Sequence, residues 1–595
     1  MSVRRYLAIH FALLAGVVCV APLSAQTAAA AGGIAIHDAT VIAKCGVCHT
    51  QRSDGTMARL SEIRTTPEVW EQAIKRMVRL NGLQITPDEA RHIVRYLSDN
   101  NGLTLAEAKA GFWDAEHRNF RLAEEANGTP QELQRTCNYC HTIGRVLVQR
   151  RTQADYTKLM NTHMALFPGS EASVFRPFRR YTNAEDLSVE LTQAGTGYGV
   201  LHYTEPTAPP AKTPKYPVDV AIEYLAKSQP LITPEWTAWH EAKHEANLAG
   251  TWTVRAYQAG KGRIYGEMTV LSPDKSGDWS TTTTLHYPDG QTVTSTGRGV
   301  LYAGYSWRGH SKAALDAKAS PTLPVDAREA MLLASDGNSM EGRWFWGGYQ
   351  EFGLDVKLTR LEKQMTVLGV DKYALRSPSV ETVHIYGGAL PSSLTAADFN
   401  FGEGVSVSKV VHASPTDVEL QLTVAAGVKP GLHSVSVKGI AAPETIAVYD
   451  KIDFIKVAPD ANYARLGGII TVKQFAQFQA IGYSNGADGV AGTNDDVAIG
   501  PVKAAWSLEE FYATPDDDDV KYVGTINESG LFTPNVEGPN PLRQKQSNNF
   551  PTENWGDVWV NAIYKGPKGE PLQARSYLVV TVPTYMRYDQ PEVSE

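Results

Sequence analysis

Two segments of this 595-residue chain carry the same chemistry at the same spacing. Cys45-Gly46-Val47-Cys48-His49 and Cys137-Asn138-Tyr139-Cys140-His141 both read C-x-x-C-H. This is the attachment pattern of a c-type haem. Two thiols three positions apart on one helical turn reach the two haem vinyl groups, and the imidazole that follows reaches the iron. The motifs therefore predict Cys45, Cys48, Cys137 and Cys140 as covalent haem attachments, with His49 and His141 as the first axial ligands of two irons. They also predict an all-α first third, because a small cytochrome c wraps its haem in helices.

Two rivals fit these cysteines less well. A zinc site gathers four ligands around one ion, whereas each pair here has its own His at the same offset. A thioredoxin-type pair occurs once, in a βαβ setting. The chain has five cysteines, and the only one outside the two motifs is Cys19. That residue sits in an N-terminal segment with a basic start, Arg4-Arg5, an apolar run from Tyr6 to Val20, and small residues at Ser24 and Ala25. The segment reads as a secretory signal peptide, residues 1–25, with Ala28 to Ala31 as a later alternative for cleavage. Its apolar run falls short of the roughly 20 residues of a membrane span. Export to a periplasm is the expectation. The formal net charge is −8, and losing Arg4 and Arg5 makes it more negative. That balance gives no reason to expect a nucleic-acid partner.

The motifs head two related modules, about 26–110 and 111–247. In the first, an aromatic-led segment runs Trp70 to Met77, and a second helix opens at Thr86-Pro87, an N-cap and first-turn pair, and ends Tyr96-Leu97. In the second, the corresponding segments run Tyr156 to His163 and Ala221 to Leu225. The second module is longer by 36 residues between its proximal His and that Tyr, with the extra length in a loop-rich stretch around Phe167 to Pro217. Met77 lies seven residues after Trp70, and His163 seven after Tyr156. Equivalent positions thus hold Met and His. The repeat predicts His49/Met77 on haem iron 1 and His141/His163 on haem iron 2, ahead of Met57, His92, Met160 and Met164. A thioether ligand raises the reduction potential relative to a second imidazole, so the two haems would differ and electrons would have a direction.

His240-Glu241-Ala242-Lys243-His244 matches H-E-x-x-H, a zinc metalloprotease pattern when both His share one helix face. No third ligand follows at a familiar offset, and a solvated linker helix with two His on one face explains the segment more simply. From about Leu248 apolar and polar residues alternate between Gly, Pro, Asp and Asn, which is the pattern of β-strands. Gly250 to Tyr257 and Gly266 to Leu271 read as strands and Asp289-Gly290 as a hairpin turn. Three antiparallel β domains are expected: a barrel at 248–364, an immunoglobulin-like sandwich at 365–456, and a C-terminal immunoglobulin-like domain at 457–595. The loop Asn485 to Asp496 clusters carboxylates and amides among glycines; calcium is weighed there against a plain Gly/Asn/Asp turn. Asp516 to Asp519 reads as a solvated acidic turn. No nucleophile–base constellation stands out, so no catalytic residue is assigned.

The layout of signal peptide, two C-x-x-C-H modules and three β domains resembles the α (dihaem) subunit of quinohaemoprotein amine dehydrogenase. The strands around Gly250-Thr251-Trp252 and the segment from Asp488 to Asp496, leading to Trp506-Ser507-Leu508-Glu509-Glu510, carry the more specific part of the likeness. The resemblance implies one His/Met and one bis-His haem at the positions named above. It implies a heterotrimer with a β-propeller β subunit and a small γ subunit that holds cysteine tryptophylquinone. That enzyme is an oxidoreductase acting on CH–NH2 donors: primary amines are deaminated oxidatively at the quinone, electrons pass to the haems, and a cytochrome c or cupredoxin removes them. The alternative is a stand-alone periplasmic dihaem cytochrome c whose β domains bind a surface or polymer.

Overall fold

The computed structural model describes residues 33–118, 130–134, 136–138, 141–176, 215–242, 244–315, 321–361, 364–486, 488–512, 517–544, 551–566 and 571–584. The N-terminal segment read as a signal peptide, with Cys19, and residue Cys140, Asp516 and most of the Phe167–Pro217 stretch lie outside them. Among the described residues no helix is long and apolar enough to cross a membrane. The chain divides into two compact units, Met1–Glu62 and Ile63–Glu595.

In the first unit, helix Ala39–Cys45 starts at Asp38, whose side chain accepts the Val41 N–H at 2.9 Å. This is an N-cap satisfying one of the donors that every helix start leaves free. The helix stops at Gly46, and Ile34, Ile36, Val41, Met57 and Leu60 form the apolar interior.

The second unit opens on the repeat. Strand β1 (Ile63–Thr65) leads into helix Pro67–Asn81, and strand β2 (Gln149–Arg151) leads into helix Gln153–Leu166. The two strands pair antiparallel with Arg64 opposite Arg150. The N-caps Thr66 and Thr152 each follow two residues later, and Trp70 and Tyr156 are buried four residues after the caps. The pairing register thus relates equivalent residues of the two modules by a local two-fold axis. The second helices obey it too. Helix Pro87–Asn100 ends at Asn101 and helix Pro217–Ser228 at Gln229, each four residues past a Tyr-Leu pair. The Thr65 N–H donates to the Asn101 carbonyl (3.2 Å), and the Arg151 N–H to the Gln229 carbonyl (3.4 Å). Helix Pro87–Asn100 begins as the sequence predicts, with Thr86 at its N-cap and Pro87 in the first turn, and a capping box between Thr86 and Glu89 completes the start. The expectation of purely helical modules is corrected by this strand pair. Strands of three residues are too short to leave an alternation signal.

Eight strands, β3 (Gly250–Gln258), β4 (Gly262–Val270), β5 (Trp279–His286), β6 (Thr292–Tyr302), β7 (Ser306–Ala313), β8 (Asp326–Leu333), β9 (Ser339–Trp346) and β10 (Phe352–Arg360), pair antiparallel in sequence order. The barrel closes where β10 meets β3, Leu354 opposite Gln258. Asp289-Gly290 makes the β5–β6 turn, with Gly290 in the left-handed region at φ 83°. An eight-stranded barrel is just wide enough for side chains to fill, and Trp252, Trp307 and Trp344 are buried among its apolar residues. Gly299 leaves the room Trp307 needs, since a Cβ there would come within 2.2 Å of the indole.

Residues 366–449 form two four-stranded sheets over one apolar core. A third core lies among the sheets of residues 454–581. Neither region is wholly antiparallel, which corrects the expectation. Strand Ala374–Arg376 runs parallel to strand Ile440–Tyr449, and strand Ala461–Arg465 parallel to strand Leu572–Thr581. A parallel pair needs a long crossover connection. In both cases the partners are far apart in the chain, so the connection is available.

Candidate haem site

Cys45 is the last residue of its helix, and Cys48 and His49 follow in the turn beyond it. The His49 N–H bonds back to the Cys45 carbonyl at 2.8 Å, so one turn of backbone sets both thiols and the imidazole. The His49 Nδ1 donates to the Ala58 carbonyl at 2.9 Å. A carbonyl can only accept, so Nδ1 carries the proton and Nε2 keeps its lone pair. The same arrangement recurs twice. The His141 Nδ1 donates to the Thr142 carbonyl and the His163 Nδ1 to the Leu159 carbonyl, both at 2.9 Å. Anchoring one ring nitrogen on a carbonyl is how proteins fix the tautomer and aim of a metal-binding imidazole. Burial pushes the His141 ring down to about 4. Burial, with the positive charges of Arg76, Arg151 and Arg145, also pushes His163 down. Both rings are neutral at physiological pH, the form that binds a metal. His163 is among the groups that act electrostatically on His141, so the two rings share one neighbourhood.

Cys45, Cys48 and Cys137 are free thiols. Burial raises Cys45 to about 11 and Cys137 to about 12. A zinc site or a redox pair needs a stabilised thiolate, and burial works against one at Cys45 and Cys137. The first motif thus presents two thiols, and the second at least the Cys137 thiol, beside an imidazole whose Nε2 is available, a donor set that fits covalently attached haem. Cys140 lies outside the described residues.

Met77 is half-buried in the second unit on helix Pro67–Asn81, with the Asn81 amide 3.6 Å from its sulfur. The helix ends one turn later at Gly82, which caps it at φ 68° and donates its N–H to the Met77 carbonyl. Met57 is fully buried in the first unit, and His92 is exposed on its helix. Met160 and Met164 line a cavity of about 320 Å³ with Val218 and Ile222 between helices Gln153–Leu166 and Pro217–Ser228.

The H-E-x-x-H pattern does not form a site. Its helix stops at Glu241, and Ala242 is extended, so His240 and His244 do not share a helix face. His240 packs on Trp236, while His244 stacks on Trp239 and bonds its carbonyl at 2.6 Å. The expected linker helix with both His on one face is corrected for the same reason. In the 485–496 loop the carboxylates are engaged by the loop itself. Asp495 accepts the Asp488 N–H and the Thr493 hydroxyl, and Asp496 accepts the Gly492 N–H. That is a self-bonded turn, within which the Asp496 Oδ1 is buried without a hydrogen-bond partner. Among the described residues no three His, Cys, Asp or Glu side chains gather as a metal site.

Sequence reading missed the charged centre of the repeat. The Glu107 carboxylate takes both terminal nitrogens of Arg64 at 2.7 and 2.9 Å, and the Arg150 Nε at 3.2 Å. Arg64 also stacks over Trp236, 4.7 Å from the ring centre. A signal existed for the arginines, since both stand two residues before a capping threonine. None existed for Glu107, which comes from a different element.

Four family models match successive stretches of the chain. They are the haem-binding domain of the quinohemoprotein amine dehydrogenase alpha subunit at 35–184, and domains II, III and IV of that subunit at 245–361, 364–450 and 455–593. No curated protein matches. Among solved structures, a redesigned beta barrel is 16% identical, covering 19% of this chain and 92% of its own, with a TM-score of 0.16. A Bacteroides ovatus mixed-linkage glucan utilization locus protein, solved with a mixed-linkage heptasaccharide, is 11% identical over 41% of this chain and 54% of its own, with a TM-score of 0.18. Zebrafish RET cadherin-like domains 1 to 4 are 9% identical over 56% and 66%, with a TM-score of 0.16. These likenesses are too slight to carry an argument, whereas the four family models agree and together span nearly all of the sequence after residue 34. The chain belongs to the family of quinohemoprotein amine dehydrogenase alpha subunits, and it contains that family's haem-binding domain.

Proposed function

We propose that this chain is the dihaem electron-transfer subunit of a periplasmic amine dehydrogenase, exported by the signal peptide at residues 1–25. Cys45, Cys48, Cys137 and Cys140 would hold two c-type haems. His49 with Met77 would ligate one iron, and His141 with His163 the other. Bound there, the haems supply one-electron redox chemistry. The chain's own residues aim the imidazoles, and burial keeps those of His141 and His163 neutral. The quinone cofactor, cysteine tryptophylquinone, sits on a small γ subunit, with a β-propeller subunit completing a heterotrimer. Primary amines are deaminated oxidatively there, and electrons leave through this chain to a soluble cytochrome c or cupredoxin. The immunoglobulin-like β domains serve as scaffold for the partners.

What supports this reading most is the repeated imidazole geometry. His49, His141 and His163 each spend Nδ1 on a backbone carbonyl and keep Nε2 available. Two of them directly follow C-x-x-C pairs. The test uses native protein purified under mild conditions and a simple primary amine added without oxygen. Haem reduction in the visible spectrum, with a small and a propeller-sized chain co-purifying, is the expected result. Haem that dithionite reduces but amine does not, in a preparation of this chain alone, would leave the stand-alone carrier instead.

A further inference from the structure

The Arg64–Glu107–Arg150 cluster sits at the local two-fold axis of the repeat. Arg64 and Arg150 face each other across the β1–β2 pair, and Glu107 bonds both. All three side chains are largely or wholly buried. Two guanidinium groups against one carboxylate leave a net positive charge inside the protein. The neighbouring ion pairs, Arg151–Asp155 and Arg308–Glu68, are balanced and do not cancel it. The helices that follow leave the strand pair at opposite ends. Met77 and His163 each lie eleven residues past the capping threonine, roughly 16 Å along the helix at 1.5 Å per residue. A buried charge is screened far less than a surface charge, so its field reaches that far.

We infer that the Arg64–Glu107–Arg150 cluster is an electrostatic control shared by both redox centres, raising the two reduction potentials together. The inference rests on the assignment of Met77 and His163 as haem ligands. A positive charge stabilises the reduced form of an iron centre, which carries one positive charge fewer. Because the cluster lies on the axis relating the two helices that carry Met77 and His163, both ligand positions feel it alike. The gap between them is then left to the difference between thioether and imidazole.

The test is a spectroelectrochemical titration of the intact haem-loaded protein and three variants. Glu107→Gln adds one net positive charge and is expected to shift both midpoints upward. Arg150→Gln removes one and is expected to shift both downward. The double variant restores the wild-type balance and should return near the wild-type midpoints. A merely structural role predicts otherwise: loosening the pair by either single change would move the midpoints in the same direction. Shifts of the same sign, or none, with both haems attached would overturn the inference. The mass of the denatured chain and the ligand-state spectrum of the wild type are recorded first. A chain without two covalent haems would overturn the dihaem reading and this inference with it, a result distinguishable from failure of the inference alone.

Discussion

Arg308 of β7 offers a stringent test of how the barrel holds the repeat. Its guanidinium bonds the carboxylate of Glu68, in the first turn of helix Pro67–Asn81, and both side chains are about nine-tenths buried. Arg308 also donates to the Ser306 hydroxyl at 3.1 Å and the Trp307 carbonyl at 2.8 Å, and lies 5.2 Å from the centre of the Phe112 ring. Arg308→Met removes the partner and leaves a carboxylate buried and unpaired, which costs about 3–5 kcal/mol. Glu68→Gln keeps an acceptor at the site and should cost less, about 1–3 kcal/mol. The double variant has no buried charge left to compensate and should be more stable than the sum of the singles predicts. Denaturant unfolding followed by tryptophan fluorescence measures all three. The pH dependence has a definite sign. Burial raises the Glu68 carboxyl, but the charge and bond of Arg308 outweigh it and hold the group below its ordinary range. Its stabilisation is full above the unfolded carboxyl pKa and is lost as pH falls through the lower folded value. The penalty of Arg308→Met should therefore shrink in acid. A penalty within about 0.5 kcal/mol, the level of an ordinary surface change, or one that grows in acid, would refute this account of the pair.

Three further outcomes are expected. Trp307 is fully buried, and its indole N–H donates to Glu329 at 2.9 Å, a carboxyl that burial already pushes up. Trp307→Ala should cost about 3–5 kcal/mol by opening a cavity, more than Trp307→Phe, as read from denaturant midpoints. The Glu537 carboxyl accepts the N–H groups of Ile469, Ile470 and Thr471 and the Thr471 hydroxyl. Burial opposes ionisation, but these bonds hold it down to about 2. Its contribution is thus present above the ordinary carboxyl range and lost only as pH falls toward 2, so hydrogen exchange at Ile469 to Thr471 should quicken in Glu537→Gln at neutral pH and stay slow in the wild type at pH 4. Replacing His163 by Met should raise the potential of the centre it ligates; an unchanged ligand-state spectrum would remove His163 from the ligand set.

Local chemistry was legible in the residues themselves. The first C-x-x-C-H motif is local in the same sense, because one turn of backbone sets both its thiols and its imidazole. The N-cap and first-turn proline at Thr86-Pro87 and the turn at Asp289-Gly290 are likewise short-range, and the chain adopts both. Equivalence of Met77 and His163 was visible because a repeat preserves spacing. The H-E-x-x-H pattern misled for the opposite reason: the motif says nothing of where its helix ends, and extended backbone at Ala242 parts the two imidazoles.

What the sequence alone determined, then, is what depends on neighbours along the chain: donor types, their spacing, helix starts, and the change from helical to alternating texture near Leu248. Tertiary structure decided what depends on residues far apart. It set Arg64 against Arg150 across a strand pair too short to predict, and brought Glu107 between them. It put Ala374–Arg376 and Ala461–Arg465 parallel to strands that follow much later in the chain. It also buried Glu68, which no local pattern marks as buried, against an arginine 240 residues away. Burying a charge is tolerable only when a partner arrives to compensate it, and that partner is supplied by the fold, not by the neighbouring sequence.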